Sequence, residues 1–171
     1  MAEQRDLGTV NHISAEALGP PGQRRFRLRA LTEGGDSASF WLEKEQLSAL
    51  GDAIETVLQA EGYRYQRPPL DDLEPDPPFP LSARFDFRLG QLSMGVNRET
   101  ERIVLIAAEA AEPDEPGLAL SVEFDYRRGY ELRGLITAVV AAGRPPCPLC
   151  TAPLDPEGHV CPRANGHRPA E

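Results

Sequence analysis

The sequence has little of what marks a secreted, membrane-spanning or nucleic-acid-coating protein. Its first residues are charged and lack the apolar segment of a signal peptide. No apolar run approaches the roughly 20 residues needed to cross a bilayer. The formal net charge of −9 opposes the phosphate attraction that supplies most non-specific nucleic-acid affinity. From these absences we expect a soluble, cytoplasmic protein.

Common signatures of catalysis are also missing. The chain contains no G-x-S-x-G nucleophile elbow, no P-loop and no G-x-G-x-x-G fingerprint. If His159 and His167 both serve the C-terminal tail, His12 is the one free imidazole, and a single histidine on a strand is usually structural or solvated. Several of the carboxylates fall in proline-rich loops, where they act as solubilising charge. The sequence therefore identifies no reaction.

Cysteine is scarce, but its few copies are clustered. Cys147, Cys150 and Cys161 are all of the cysteines, and with His159 and His167 they form the pattern C-x2-C-x8-H-x-C-x5-H. Thiolate sulfur and neutral imidazole are preferred ligands of Zn²⁺. In a reducing compartment such a cluster is more plausibly metal-bound than disulfide-bonded. The pattern predicts a small zinc-ribbon-like tail over residues 144–171.

The identity of the fourth ligand decides what kind of site this is. His159 and Cys161 are two residues apart, so an extended backbone points both side chains the same way. We therefore favour His159 and keep His167 as the alternative. Three cysteines and one histidine fill a tetrahedron, which favours a structural zinc over a catalytic one. A redox role for Cys147 and Cys150 is disfavoured because the pair follows a helix rather than a strand.

Hydrophobic periodicity predicts that residues 1–143 form an α+β domain. The first helix should present Leu47, Leu50, Ile54, Val57 and Leu58 on one face, which we expect to pack on the preceding strands. The second should present Leu132, Leu135, Ile136, Val139 and Val140. Apolar parity shifts at Gly90-Gln91, which predicts a bulge or turn there. Strands are predicted around 9–14, 25–30, 37–43, 84–96, 103–108 and 118–124, and helices over about 44–60 and 128–142.

The order of strands and helices repeats, which indicates a pseudo-repeat. Each half would form an antiparallel sheet with one helix covering its apolar face, as layered α+β domains do. Six prolines and several acids lie in residues 67–81, a composition that breaks helix and sheet. This Pro/acid loop is predicted to be a linker or a surface loop.

The segments Gly143–Cys150 and Pro153–Gly166, with their CPLC and GHVCPRANG motifs, resemble those of an uncharacterised bacterial family, the domain of unknown function 3090. The resemblance also touches Gly19–Arg24 and Leu42–Gln46. It implies a cytoplasmic bacterial protein with a Cys/His tail, and it implies no reaction. Related tails often carry an aromatic residue at the position of His167, which implies His159 as the fourth ligand.

Three functions are compatible with these features, and the leading one is a protein-binding or adaptor module with a structural zinc. The second is an enzyme for an anionic metabolite, with its site between sheet and tail, using His12 and an arginine face. The third is a weak nucleic-acid binder acting through the tail. The arginine face would comprise Arg25, Arg27 and Arg29, with Arg84 and Arg88. The nucleic-acid patch would comprise Arg127, Arg128, Arg144, Arg163 and Arg168.

Overall fold

The computed structural model describes residues 3–20, 22–142, 147–152, 154 and 159–165. Both predicted helices and all six predicted strands are present in it. The strands are β1 (Glu3–Leu18), β2 (Arg25–Thr32), β3 (Ser37–Leu42), β4 (Phe85–Asn97), β5 (Arg102–Glu109) and β6 (Leu118–Asp125). The helices are α1 (Lys44–Ala60), α2 (Tyr126–Ala141) and the short α3 (Pro162–Asn165), with a single 3-10 turn at Leu70–Asp72.

The six strands close into one barrel in the order β1-β2-β3-β4-β5-β6. Within each half the three strands are antiparallel, whereas β3 pairs with β4 and β6 pairs with β1 in parallel. The protein is thus α+β, and each half has the element order β-β-β-α. The predicted halves do not remain separate sheets, because their free edges pair and closure removes exposed strand edges.

The two parallel pairings explain where the helices lie. Parallel neighbours need a crossover connection, and α1 with residues 61–84 forms the crossover from β3 to β4. Helix α1 accordingly packs mainly on α2 and β4, and α2 packs on β1. The prediction that α1 packs on its own three strands is wrong. Each helix instead lies against the first strand of the other half.

Strands β1 and β4 are the long strands that change partners along their length. Strand β1 pairs with β6 through Thr9 and with β2 from Val10 onward. Strand β4 changes partner near Gly90, where the register with β5 shifts, so the predicted irregularity is a bulge. A Cβ at Gly90 would lie 2.9 Å from the Cα of Ala110, which explains the glycine. The charged start of β1 carries no apolar signal, so the strand was predicted only around residues 9–14.

One hydrophobic cluster joins the strands to both helices. Of the predicted helix faces, Leu47, Leu50, Ile54, Leu58, Leu132 and Ile136 are buried, and Val57, Val139 and Val140 pack partly against the cluster. Leu135 is 37% exposed, which differs from its predicted place in the core. The helices approach closely because Gly51 faces Ile136 and Gly129 faces Ile54. No described helix combines the length and the apolarity that crossing a membrane requires.

Candidate metal centre

The first two cysteines lie in a tight turn. The Thr151 amide donates to the Cys147 carbonyl at 2.8 Å, and the Cys147 amide donates to the Ala152 carbonyl, also at 2.8 Å. Thr151 has a φ of 61°, a left-handed conformation that β-branched residues rarely adopt. This backbone path places the Cys147 and Cys150 side chains on the same side of the turn.

Folding brings these two sulfurs to Cys161 and His159. The four ligand atoms all lie within 4.8 Å of one another. Cys147 Sγ is 3.8 Å from Cys161 Sγ, and Cys150 Sγ is 3.2 Å from His159 Nε2. Sulfurs about 2.3 Å from one tetrahedral ion would be about 3.8 Å apart, so the spacing fits a shared metal. The cluster is compatible with metal binding, and Cys147 and Cys161 are buried.

The turn makes the first two thiols electrostatically different. The backbone amide of Cys150, and then that of Leu149, hydrogen-bonds to Cys147 and lowers the pKa of its thiol. The Ala152 amide lowers the pKa of the Cys150 thiol, but burial and the neighbouring Cys161 and Cys147 side chains outweigh it, so the net shift is upward. The Cys147 thiol therefore loses its proton more easily than the Cys150 thiol. The resulting thiolate is the form that binds a metal.

Groups behind the cluster hold it together. Arg163 of α3 donates from Nη1 to the Leu149 carbonyl at 2.9 Å, which ties α3 to the cysteine turn. His159 Nδ1 is buried and has no hydrogen-bond partner among the described residues. A metal-bound histidine normally donates from this nitrogen, because that bond fixes its orientation. His167 and the rest of the predicted zinc-ribbon-like tail lie outside the described residues. The tail residues that are described form a turn and α3.

His12 lies in a separate cavity of about 150 Å³ with Asp76, Arg128 and Glu131. Its ring stacks on Phe79, and its Nδ1 is 2.7 Å from the Pro77 carbonyl. Strand β1, the Pro/acid loop and α2 form this cavity, and no tail residue among those described lines it, whereas the enzyme hypothesis expected a site between sheet and tail. The contacts of His12 are those of a structural residue that holds the loop.

The predicted arginine face is neutralised only in part. Arg27 and Arg29 both pair with Glu16, and Arg84 pairs with Asp36. Arg25 instead lies over the ring of Trp41, 4.2 Å from its centroid. Trp41 was not singled out from the sequence. The available signal in the sequence was that Trp41 is the only tryptophan. In the structure it lies opposite Arg27 in the β2–β3 pair.

The predicted basic patch also contributes little free charge in the part of the chain that is described. Arg127 pairs with Glu131 at 3.0 Å, and Arg128 pairs with Asp76 at 3.1 Å. Arg163 is bonded to the cysteine turn, as described above. Arg144 and Arg168 lie outside the described residues. The described members therefore give the nucleic-acid hypothesis no support.

The fold and the cluster together define an α+β barrel protein with a C-terminal Cys/His site compatible with a metal ion. A family model described as "Protein of unknown function (DUF3090)" matches residues 6–161. The chain belongs to this family. No curated protein is significantly similar to it. The match covers the barrel and the tail as far as Cys161, the last cysteine of the cluster.

Proposed function

We propose that the tail binds one structural Zn²⁺ through Cys147, Cys150, His159 and Cys161. The donor set supports zinc because soft thiolates with one imidazole suit this ion, whereas Ca²⁺ and Mg²⁺ take oxygen ligands. Four protein ligands would leave no coordination position for water or substrate. The metal would therefore stabilise the tail without taking part in a reaction. Reduced thiolates also suit the cytoplasmic location that we propose.

We further propose that the zinc-bound tail is a protein-binding or adaptor module. The observation that carries this proposal is the position of two exposed apolar side chains. Leu149, 52% exposed, lies between the two turn cysteines, and Val160, 81% exposed, lies between His159 and Cys161. A bound metal would fix the backbone on both sides of each residue. Such preorganised apolar side chains lose little conformational entropy when a partner covers them.

The test compares partners recovered with the full-length chain and with a Leu149→Asp, Val160→Asp double variant. The matched control is Leu81→Asp, because Leu81 is a fully exposed apolar residue of the Pro/acid loop, outside the tail. We expect the wild type and Leu81→Asp to recover a stoichiometric partner from the native source, and the double variant to lose it while keeping its zinc. Equal recovery by all three proteins would refute the adaptor function.

A further inference from the structure

A cavity of about 400 Å³ opens at the end of the barrel where β2 begins, β3 ends and β4 leaves β3. It is far from the cysteine cluster in sequence, and none of the described tail residues lines it. Its walls carry three arginines, Arg24, Arg25 and Arg88, around the indole of Trp41. Two acids, Glu43 and Asp86, complete its charged lining.

The acids of this cavity are already engaged. Asp86 Oδ1 accepts a hydrogen bond from the Trp41 Nε1 at 2.8 Å. Glu43 is the N-cap residue of α1 and forms a capping box with Gln46. The positive end of the helix dipole further stabilises the Glu43 carboxylate. Hydrogen bonding leaves both carboxylates charged, so the three arginines of the lining exceed its two acids by one positive charge.

The arginines are far less satisfied. Arg24 Nε is buried and has no hydrogen-bond partner in the described part of the chain. Arg25 stacks on Trp41 and forms no ion pair with a described acid. Arg88 Nη2 is 3.6 Å from the Glu43 carboxylate, and both side chains are mostly exposed. A buried donor without a partner costs free energy that an anionic ligand would recover.

The equivalent position in the second half of the barrel shows how a purely structural site would be arranged. Trp41 and Glu123 occupy equivalent positions, since each lies two residues before the acid that caps the following helix. Arg25 and Arg102 are the first residues of β2 and β5. In the second half Arg102 pairs with Glu123 at 2.6 Å, and Thr9 donates to the same carboxylate at 3.0 Å.

In the first half, Trp41 stands at the position of Glu123, and Arg88 stands at the position of Thr9. The parallel registers support this equivalence, because Trp41 is opposite Arg88 in β4 and Glu123 is opposite Thr9 in β1. The second-half position is thus a closed ion-pair network, and the first-half position is an open cavity with excess positive charge. The difference is not needed for folding, since the same strand arrangement forms at both positions.

We propose that this cavity binds the phosphoryl group of a small phosphorylated metabolite. Guanidinium groups bind phosphate oxygens in a bidentate manner, and converging arginines match a tetrahedral dianion better than a planar carboxylate. The cavity is larger than one phosphate needs, which leaves room for the organic part. This site is independent of the proposed adaptor function of the tail.

The test uses Trp41 itself, because it is the only tryptophan in the chain. Titrating the full-length protein with inorganic phosphate at constant ionic strength should change its fluorescence saturably. Chloride at the same ionic strength should not. A linear response, or an equal response to chloride, would overturn the proposal. Acetate is the carboxylate control. If acetate binds as tightly as phosphate, the assignment of the site to a phosphoryl group is overturned.

Variants then locate the site, with phosphorus NMR line broadening as a second measurement that does not depend on Trp41. We expect Arg24→Gln and Arg25→Gln each to weaken phosphate binding about tenfold, the loss typical of one charge-assisted hydrogen bond. Arg84→Gln removes the same charge outside the cavity and should bind normally. Circular dichroism checks that each variant is folded. Unchanged affinity in folded Arg24→Gln and Arg25→Gln would refute the site.

Two further ligands distinguish the source of the phosphoryl group. Glycerol phosphate and adenosine monophosphate both carry a phosphate monoester, but only the second carries an aromatic base. We expect at least one of them to bind more tightly than inorganic phosphate, because the cavity extends beyond the phosphate position. Inorganic phosphate binding more tightly than both would refute the metabolite and indicate a site for the free ion.

Discussion

The imidazole of His12 stacks on the ring of Phe79, with centroids 3.9 Å apart and 21° between the planes. The same imidazole has Nδ1 2.7 Å from the Pro77 carbonyl oxygen, which can only accept, so Nδ1 carries the hydrogen. Asp76, the residue before Pro77, pairs with Arg128 of α2. These contacts hold the Pro/acid loop on β1 and α2, and they make it a docked surface loop rather than a free linker.

His12→Ala should release this loop. Removing the ring eliminates the stack on Phe79 and the hydrogen bond to Pro77, while the barrel core is untouched. We expect limited proteolysis to cut within residues 67–81 several times faster than in the wild type. His12→Phe keeps the stacking surface and should give an intermediate rate. Equal rates in all three proteins would show that other contacts hold the loop.

Protein purified without added metal should contain one zinc per chain by elemental analysis. His159→Ala should weaken zinc retention by more than the roughly 10- to 100-fold that loss of an outer-shell partner costs, because a ligand itself is removed. His167→Ala is the matched control and should retain zinc normally. A Cys147→Ser, Cys150→Ser double variant that keeps full zinc content would contradict the assigned ligands.

If both single histidine variants keep full affinity, the histidines either substitute for each other or leave a coordination position to water. Measuring the double variant separates these cases, since only substitution predicts a large further loss. A water ligand would favour a catalytic zinc over a structural one.

A chain truncated after Gly143 should fold. The main hydrophobic cluster runs from Val10 to Ile136 and contains neither Cys147 nor Cys161. We expect a cooperative thermal transition and a far-ultraviolet circular dichroism spectrum with the helix and strand content of the barrel. A truncated chain that binds hydrophobic dyes and unfolds without cooperativity would show that the tail completes the core.

Gly129→Ala should destabilise the barrel. A Cβ there would lie 2.8 Å from Ile103 Cδ1 and 3.6 Å from Ile54 Cγ2 in the fully buried core. Overpacking of this kind costs about 1–3 kcal/mol of unfolding free energy, partly offset by the better helix propensity of alanine. Denaturant unfolding measures the net change.

Gly134→Ala provides the control in the same helix. A Cβ at Gly134 would meet no atom within 4 Å, so only helix propensity changes. We expect this variant to be more stable than the wild type by up to about 1 kcal/mol. Equal effects of the two substitutions would contradict the close helix packing at Gly129.

Thr151→Gly should stabilise the cysteine turn. The left-handed backbone at Thr151 is strained for a β-branched residue and unstrained for glycine. We expect slower zinc loss to a chelator than in the wild type. Thr151→Ala is the control, because it also removes the hydroxyl bond to the Cys150 carbonyl but keeps a Cβ. Slower loss in both variants would assign the effect to the hydroxyl instead.

Local features of this protein follow from the sequence alone. Residues 44–60 are predicted as a helix and form one over the same bounds, because the 3.6-residue period is carried within the segment. The bulge near Gly90 follows from a parity shift between neighbouring residues. The cluster of Cys147, Cys150, His159 and Cys161 also follows from spacing, since its ligands lie close together in the chain.

Features that join distant segments were decided only by the tertiary structure. Closure of the barrel requires β1 to pair with β6 and β3 with β4, and no local period encodes which strand edges meet. The same closure places α1 against β4, brings Phe79 to His12, and gathers Arg24, Trp41 and Arg88 into one cavity. These contacts depend on the free energy of the whole chain, because each joins residues whose local sequence is compatible with other arrangements.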